Sequence, residues 1–127
     1  MRGKHLYEYA VIRVVPMVER EEFINVGIIL FCKQQKYVKA LIHINEQKLS
    51  CFSSELGLDE IRKNLEGFTK IAHGEKNCGD IAGMDAASRF RWLTAVKSSS
   101  IQTSRPHPGF SDNLDETAER LLGELVL

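Results

Sequence analysis

Phe23-Ile24-Asn25-Val26-Gly27-Ile28-Ile29-Leu30-Phe31-Cys32 is the longest apolar stretch of the chain, and its reading decides the fold. At about ten residues it is well short of the roughly twenty that span a bilayer as a helix. Ile24, Val26, Ile28, Leu30 and Cys32 recur every second residue, the period of a strand with one apolar face. Residues 33–36, Lys-Gln-Gln-Lys, form a short polar link. In residues 37–44, Val38, Ala40, Ile42 and Ile44 share one face, with Lys39 and His43 on the other. The two segments therefore read as an antiparallel hairpin with one solvated face.

Upstream, residues 7–15 are nearly continuous in β-branched and aromatic side chains and close on Pro16, which cannot donate to a ladder. They predict a largely buried strand. Downstream, Asn45 is placed to cap a short helix through residue 50. Asp59 stands at the start of a longer helix, whose apolar residues Ile61, Leu65, Phe68 and Ala72 recur at helical spacing before Gly74 at C′. Asp85 opens a further helix burying Phe90, Leu93 and part of Trp92. Residues 98–103 read as a short extended segment and residues 105–109, with Pro106 and Pro108, as an ordered turn or loop. Asn113 followed by Glu116 forms an N-terminal cap, and Leu114, Ala118, Leu121, Leu122 and Leu125 make the apolar stripe of a packed C-terminal helix. The expected fold is α+β: one domain over residues 1–127, with a small antiparallel sheet of three to four strands and helices packed on one face.

At 127 residues and 43% apolar composition, the chain is long enough for one core. Lys plus Arg equals Asp plus Glu at 17 each, so there is no net positive field for holding a nucleic-acid backbone. Arg89, Arg91 and Trp92 are better read as arginine stems lying over a buried helix than as an RNA patch. No membrane span is present, and no apolar leader with a small-residue cleavage site precedes the first strand. Cys32, Cys51 and Cys78 are odd in number and far apart, which suits a reducing cytoplasm better than a disulfide framework. The four histidines lie at least about thirty residues apart and none pairs with a cysteine at ligand spacing, so neither a metal nor a cofactor is expected.

The polar residues with chemical potential sit in two blocks, residues 20–27 and 97–109. Gly27 on a strand admits close approach of a ligand or another backbone; it reads either as a pocket floor sharing a face with Asn25 or as a bulge. Arg13, inside an apolar strand, must reach solvent or meet a carboxylate, Glu22 or Glu19, or an anionic ligand. Lys97, Ser98, Gln102 and Ser104 supply a cation, hydroxyls and an amide of the kind that grip phosphate oxygens, but without the glycines of a phosphate loop. His107 is held between two prolines near Ser104. No G-x-S-x-G elbow accompanies it, so no catalytic residue is assigned.

Taken together, residues 7–16 (Tyr-Glu-Tyr-Ala-Val-Ile-Arg-Val-Val-Pro), residues 22–30 (Glu-Phe-Ile-Asn-Val-Gly-Ile-Ile-Leu), residues 89–93 (Arg-Phe-Arg-Trp-Leu) and residues 101–104 (Ile-Gln-Thr-Ser) resemble a bacterial family, the domain of unknown function 3037. The resemblance implies a small, single-domain cytoplasmic protein with no assigned activity, encoded beside HipA-like kinases. Arg13, Glu22, Asn25, Gly27, Arg89, Ser98, Gln102, Ser104, His107 and Gly109 match its polar pattern, whereas Lys97 stands where an arginine is expected and cannot make its bidentate contact. Two functions follow as expectations. One is a non-enzymatic interaction module with a protein partner, a HipA-like kinase or similar. The other is an enzyme or binding domain for a small anionic, phosphorylated or nucleotide-like ligand, in which Arg13, Lys97 and Arg89 hold oxygens, Asn25 and Gln102 orient the ligand, and Glu22 or His107 handles protons.

Overall fold

The computed structural model describes residues 4–15, 22–50, 57–76, 79–95 and 100–127. In chain order the elements are β1 (His5–Val14), β2 (Ile24–Cys32), β3 (Tyr37–Ile42), α1 (Glu46–Ser50), α2 (Leu58–Ala72), a 3-10 turn (Ile81–Gly83), α3 (Ala86–Thr94), β4 (Ile101–Thr103), β5 (His107–Ser111) and α4 (Leu114–Leu125). The sheet is antiparallel in the order β3-β2-β1, and β4 and β5 lie end to end along the free edge of β1. β4 pairs with Ile12–Val14 and β5 with His5–Tyr9. The sheet thus has five strands where three to four were expected, because residues 107–111 pair as a strand and not as the anticipated loop. Pro108 is tolerated there because β5 lies at an edge, where a missing N–H leaves no ladder bond unmade.

Helices cover both faces, which corrects the expectation of one. On the first face α2 and α3 bury Ile61, Leu65, Phe68, Phe90 and Leu93 against Ala10, Ile12, Val14, Ile29 and Phe31. Phe90 stacks on Phe31 with ring centroids 4.9 Å apart, and each such side chain contributes about 1.5–3 kcal/mol through burial. On the second face α4 lays Ala118 and Leu121 over Tyr7, Ile28, Leu30 and Cys32. Its first turn is anchored to β3, where the Tyr37 hydroxyl donates to Asp115 Oδ1 at 2.6 Å and Lys39 Nζ lies 3.3 Å from the same oxygen. The Tyr37 hydrogen bond, with Lys39 beside it, holds the Asp115 carboxyl below the usual carboxylate range. Burial and the Asp115 carboxylate push the Tyr37 phenol above its ordinary value.

The single-face alternation expected of β2 fails at one point. Gly27 pairs with Ile12 and Asn25 with the next residue, Arg13, so β2 carries one extra residue, Val26, at a bulge. Ile24 and Val26 face α2 and α3, but beyond the bulge it is Ile29 and Phe31 that do so, while Ile28, Leu30 and Cys32 turn to α4. An added Cβ at Gly27 would strike the Leu41 carbonyl oxygen and lie 2.8 Å from Ile42 Cδ1. The backbone that approaches Gly27 is therefore that of β3, and the pocket-floor reading gives way to the bulge.

The starts of α1, α3 and α4 and the end of α2 follow their sequence signals, whereas α2 starts from Gly57 with no side-chain cap and holds Asp59 in its first turn. Asn45, Asp85 and Asn113 each accept from a backbone N–H three residues on, at 3.1, 2.8 and 3.1 Å. α2 ends at the C-cap His73, followed by Gly74 at φ 66°, the left-handed position that favours glycine.

Candidate functional site

The bulge and the edge strands together bring part of the predicted site to one place. Arg13 lies opposite Asn25 on one side and Gln102 on the other, so residues from both polar blocks form a single cross-strand row on the α4 face. Asn25 and Gly27 do not share that face: Gly27 lies opposite Ile12, whose side chain belongs to the α2 and α3 core. Asn25 Nδ2 donates to the Leu125 carbonyl at 3.1 Å and so satisfies one of the free carbonyls at the end of α4. Arg13 lies over the Phe23 ring, with its guanidinium carbon 4.1 Å from the centroid. Its Nε, like Asn25 Oδ1, is buried without a hydrogen-bond partner among the described residues. Glu22 is exposed one residue before Phe23, where it has interactions of its own.

Other predicted members stand apart. Ser104 is buried and belongs to the sheet: its Oγ accepts the Val11 N–H at 2.9 Å and its own N–H donates to the Val11 carbonyl at 2.9 Å, bridging the break between β4 and β5. His107 is exposed on β5 beside Tyr9, with ring centroids 5.4 Å apart. Since Tyr9 precedes Arg13 by four strand residues, His107 is roughly 13 Å from the row. Gly109 lies under the Tyr7 ring, where a Cβ would meet the hydroxyl. Arg89 is on the opposite face, committed to main-chain carbonyls: Nη1 donates to Met84 O at 2.6 Å and Nε to Ala72 O at 3.4 Å. Lys97 and Ser98 lie outside the described residues, as do Cys51 and Cys78. Cys32 is a buried free thiol.

Two concave surfaces were not identified from the sequence. One is an open groove of about 590 Å³ between α2, α3 and β4, with Phe68, Ile71, Trp92, Leu93 and Ile101 as its apolar lining and Lys63, Asn64 and Ser100 as its polar groups. Trp92 is 42% exposed at its side. Gly67 lines the same groove from the middle of α2, where a Cβ would meet nothing within 4 Å. A glycine inside a helix costs up to about 1 kcal/mol relative to alanine, and packing does not require it here; its effect is an unobstructed groove wall. This was the available sequence signal, a glycine amid the periodic residues of an otherwise regular helix. The second surface is a cavity of about 480 Å³ where the β2–β3 turn meets the start of α3, lined in part by Lys33, Lys36 and Arg89. In the sequence these two lysines belong to a short polar link.

Among the described residues no helix is long and apolar enough to cross a membrane, and no three His, Cys, Asp or Glu side chains group as metal ligands. No curated protein and no solved structure matches the chain. A family model described as "Protein of unknown function (DUF3037)" matches residues 9–126, which takes in every strand of the sheet from Tyr9 onward and all four helices. The chain therefore belongs to the DUF3037 family.

Proposed function

We propose that this protein is a non-enzymatic interaction module of a bacterial cytoplasmic system and that its partner is a protein, with a HipA-like kinase as the first candidate. The supporting observation is the groove between α2, α3 and β4. Trp92 is a large aromatic left 42% exposed at the side of an apolar cleft, and tryptophan is among the residues that most often dominate binding at protein interfaces. Gly67 keeps the wall beside it open at the expense of helix stability. The candidate polar groups, by contrast, serve the fold: Asn25 caps α4, Ser104 completes the sheet edge and Arg89 ties α3 to the end of α2.

The test is co-expression of the protein with the HipA-like kinase of the same genome, followed by size-exclusion chromatography. The expected result is a stoichiometric complex that is lost with Trp92→Ala and kept with Arg13→Ala. Separate elution of the two wild-type proteins would overturn the kinase assignment. A complex that forms equally well with Trp92→Ala would remove the groove as its interface.

A further inference from the structure

We propose that the cavity between the β2–β3 turn and the start of α3 is a binding site for a small phosphate monoester with a compact apolar or aromatic body. In a chain with no net charge, this cavity gathers Lys33 and Lys36 from the turn and Arg89 from α3, against a single carboxylate, Asp85. Asp85 is already engaged by the Ser88 N–H at 2.8 Å, and that bond holds its carboxyl below the ordinary range, so it remains ionised. Three cations and one anion leave a formal excess of two positive charges, which complements a phosphate monoester carrying about −1.5 to −2 at neutral pH. The apolar lining is supplied by Phe31 and Ala86, and about 480 Å³ falls within the size range of small-molecule pockets.

Arg89 is the oriented element of the site. Its guanidinium is fixed by the Met84 and Ala72 carbonyls and packs against Gly74, where a Cβ would lie 3.1 Å from Cζ. Those two bonds use two of its five N–H donors and leave the rest for oxygen acceptors. Lys36 reaches the cavity from the last position of the turn. It is the one non-glycine residue among those described with positive φ, at 50°, a conformation that glycine or asparagine adopts more readily. A lysine stands there instead.

This inference is independent of the protein-partner reading, because the cavity lies at the other end of α3 from Trp92. It takes up the anionic-ligand expectation, with Arg89 retained from the predicted set and Lys33 and Lys36 as its companions in place of Arg13 and Lys97.

The experiment is titration of the full chain with phenyl phosphate, inorganic phosphate and phenol, followed by amide chemical shifts and calorimetry. Phenyl phosphate is expected to bind more tightly than inorganic phosphate, phenol not to bind measurably, and shift changes to centre on Lys33, Lys36, Ala86 and Arg89. The Lys33→Ala, Lys36→Ala double variant should weaken phenyl phosphate about tenfold or more, the worth of one charge-assisted hydrogen bond. Arg13→Ala should leave it unchanged. Lys36→Gly provides the decisive arm: relief of the left-handed lysine should raise the melting temperature while phenyl phosphate binding weakens, a combination that loss of folding cannot produce. Phenyl phosphate affinity unaltered by the double variant, shift changes confined to the Arg13 row, or equal affinity for phenol would each overturn the assignment.

Discussion

Two glycine-to-alanine substitutions should move stability in opposite directions, and their contrast tests both the bulge and the groove. At Gly27 the new methyl group would collide with the Leu41 carbonyl oxygen and sit 2.8 Å from Ile42 Cδ1. The first of these is backbone inside the β2–β3 ladder and cannot turn aside as a side chain could. Overpacking of this kind costs typically 1–3 kcal/mol, and a backbone obstacle places Gly27→Ala near the upper end, at about 2–3 kcal/mol. At Gly67 the methyl group meets nothing within 4 Å, so only the helix-propensity term remains and Gly67→Ala should gain about 0.5–1 kcal/mol. For 127 residues at about 2.1 cal/mol/K each, the unfolding entropy is roughly 270 cal/mol/K, so 1 kcal/mol moves Tm by about 4 °C. Calorimetric melts should therefore show Gly27→Ala lower by about 7–11 °C and Gly67→Ala higher by about 2–4 °C. Gly67→Ala should also weaken partner binding, because the added methyl group stands on the groove wall. A Gly27→Ala melt within about 2 °C of wild type would refute the close approach of β3 to the bulge. A more stable Gly67→Ala that binds as well as wild type would show that the open wall has no part in recognition.

Three further outcomes are expected. Ser104→Ala leaves the buried Val11 N–H without its 2.9 Å acceptor and should cost about 1–3 kcal/mol, with faster hydrogen exchange at Val11 as its specific signature; unchanged exchange there would refute the bridging role. Phe90→Ala removes a fully buried ring stacked on Phe31 and should cost about 3–5 kcal/mol in denaturant unfolding, whereas a loss below about 1 kcal/mol would mean that α3 is not anchored through it. His73 Nε2 accepts the Ala40 N–H at 3.2 Å, and burial lowers its pKa from 6.5, with Lys39 and Arg89 acting in the same direction and Glu75 against it. The unfolded chain therefore takes up the proton first, so the His73 contribution is complete above the unfolded pKa and is lost as pH falls through the folded one. Melts below pH 6.5 should decline more steeply for wild type than for His73→Gln, which keeps a neutral acceptor; parallel declines would contradict the assignment.

The strands and helices were legible where local periodicity governs them. Ile61, Leu65, Phe68 and Ala72 are the buried stripe of α2, and Asn45, Asp85 and Asn113 cap the helices they precede. What failed was alternation carried through residue 26. A bulge shifts every later side chain to the other face, and the extra residue becomes visible only when β1 is laid beside β2. The same stretch did contain the correcting signal: residues 28–32 are apolar without interruption, which is the composition of a strand covered on both faces. β5 was missed for a related reason. Pro108 counts against a central strand, but whether a strand is central depends on its neighbours, and β5 lies at the edge of β1.

The candidate site divides along the same line. A polar residue in an apolar setting draws attention because its burial must be compensated, and for Asn25, Ser104 and Arg89 the compensation comes from the fold itself: a helix end, an interrupted strand edge and the carbonyls of a helix terminus. Such residues are conspicuous in sequence for the same physical reason that they are occupied in the structure. Most residues lining the two concave surfaces have the opposite character. Trp92 and Gly67 sit among regular helical residues, and Lys33 and Lys36 occupy a polar turn, where their composition is unremarked until tertiary structure shows an aromatic 42% exposed beside an apolar groove and three cations around one cavity. In this protein a search for function by substitution should begin with Trp92, Gly67, Lys33 and Lys36, because removing the conspicuous polar residues perturbs folding before it tests binding.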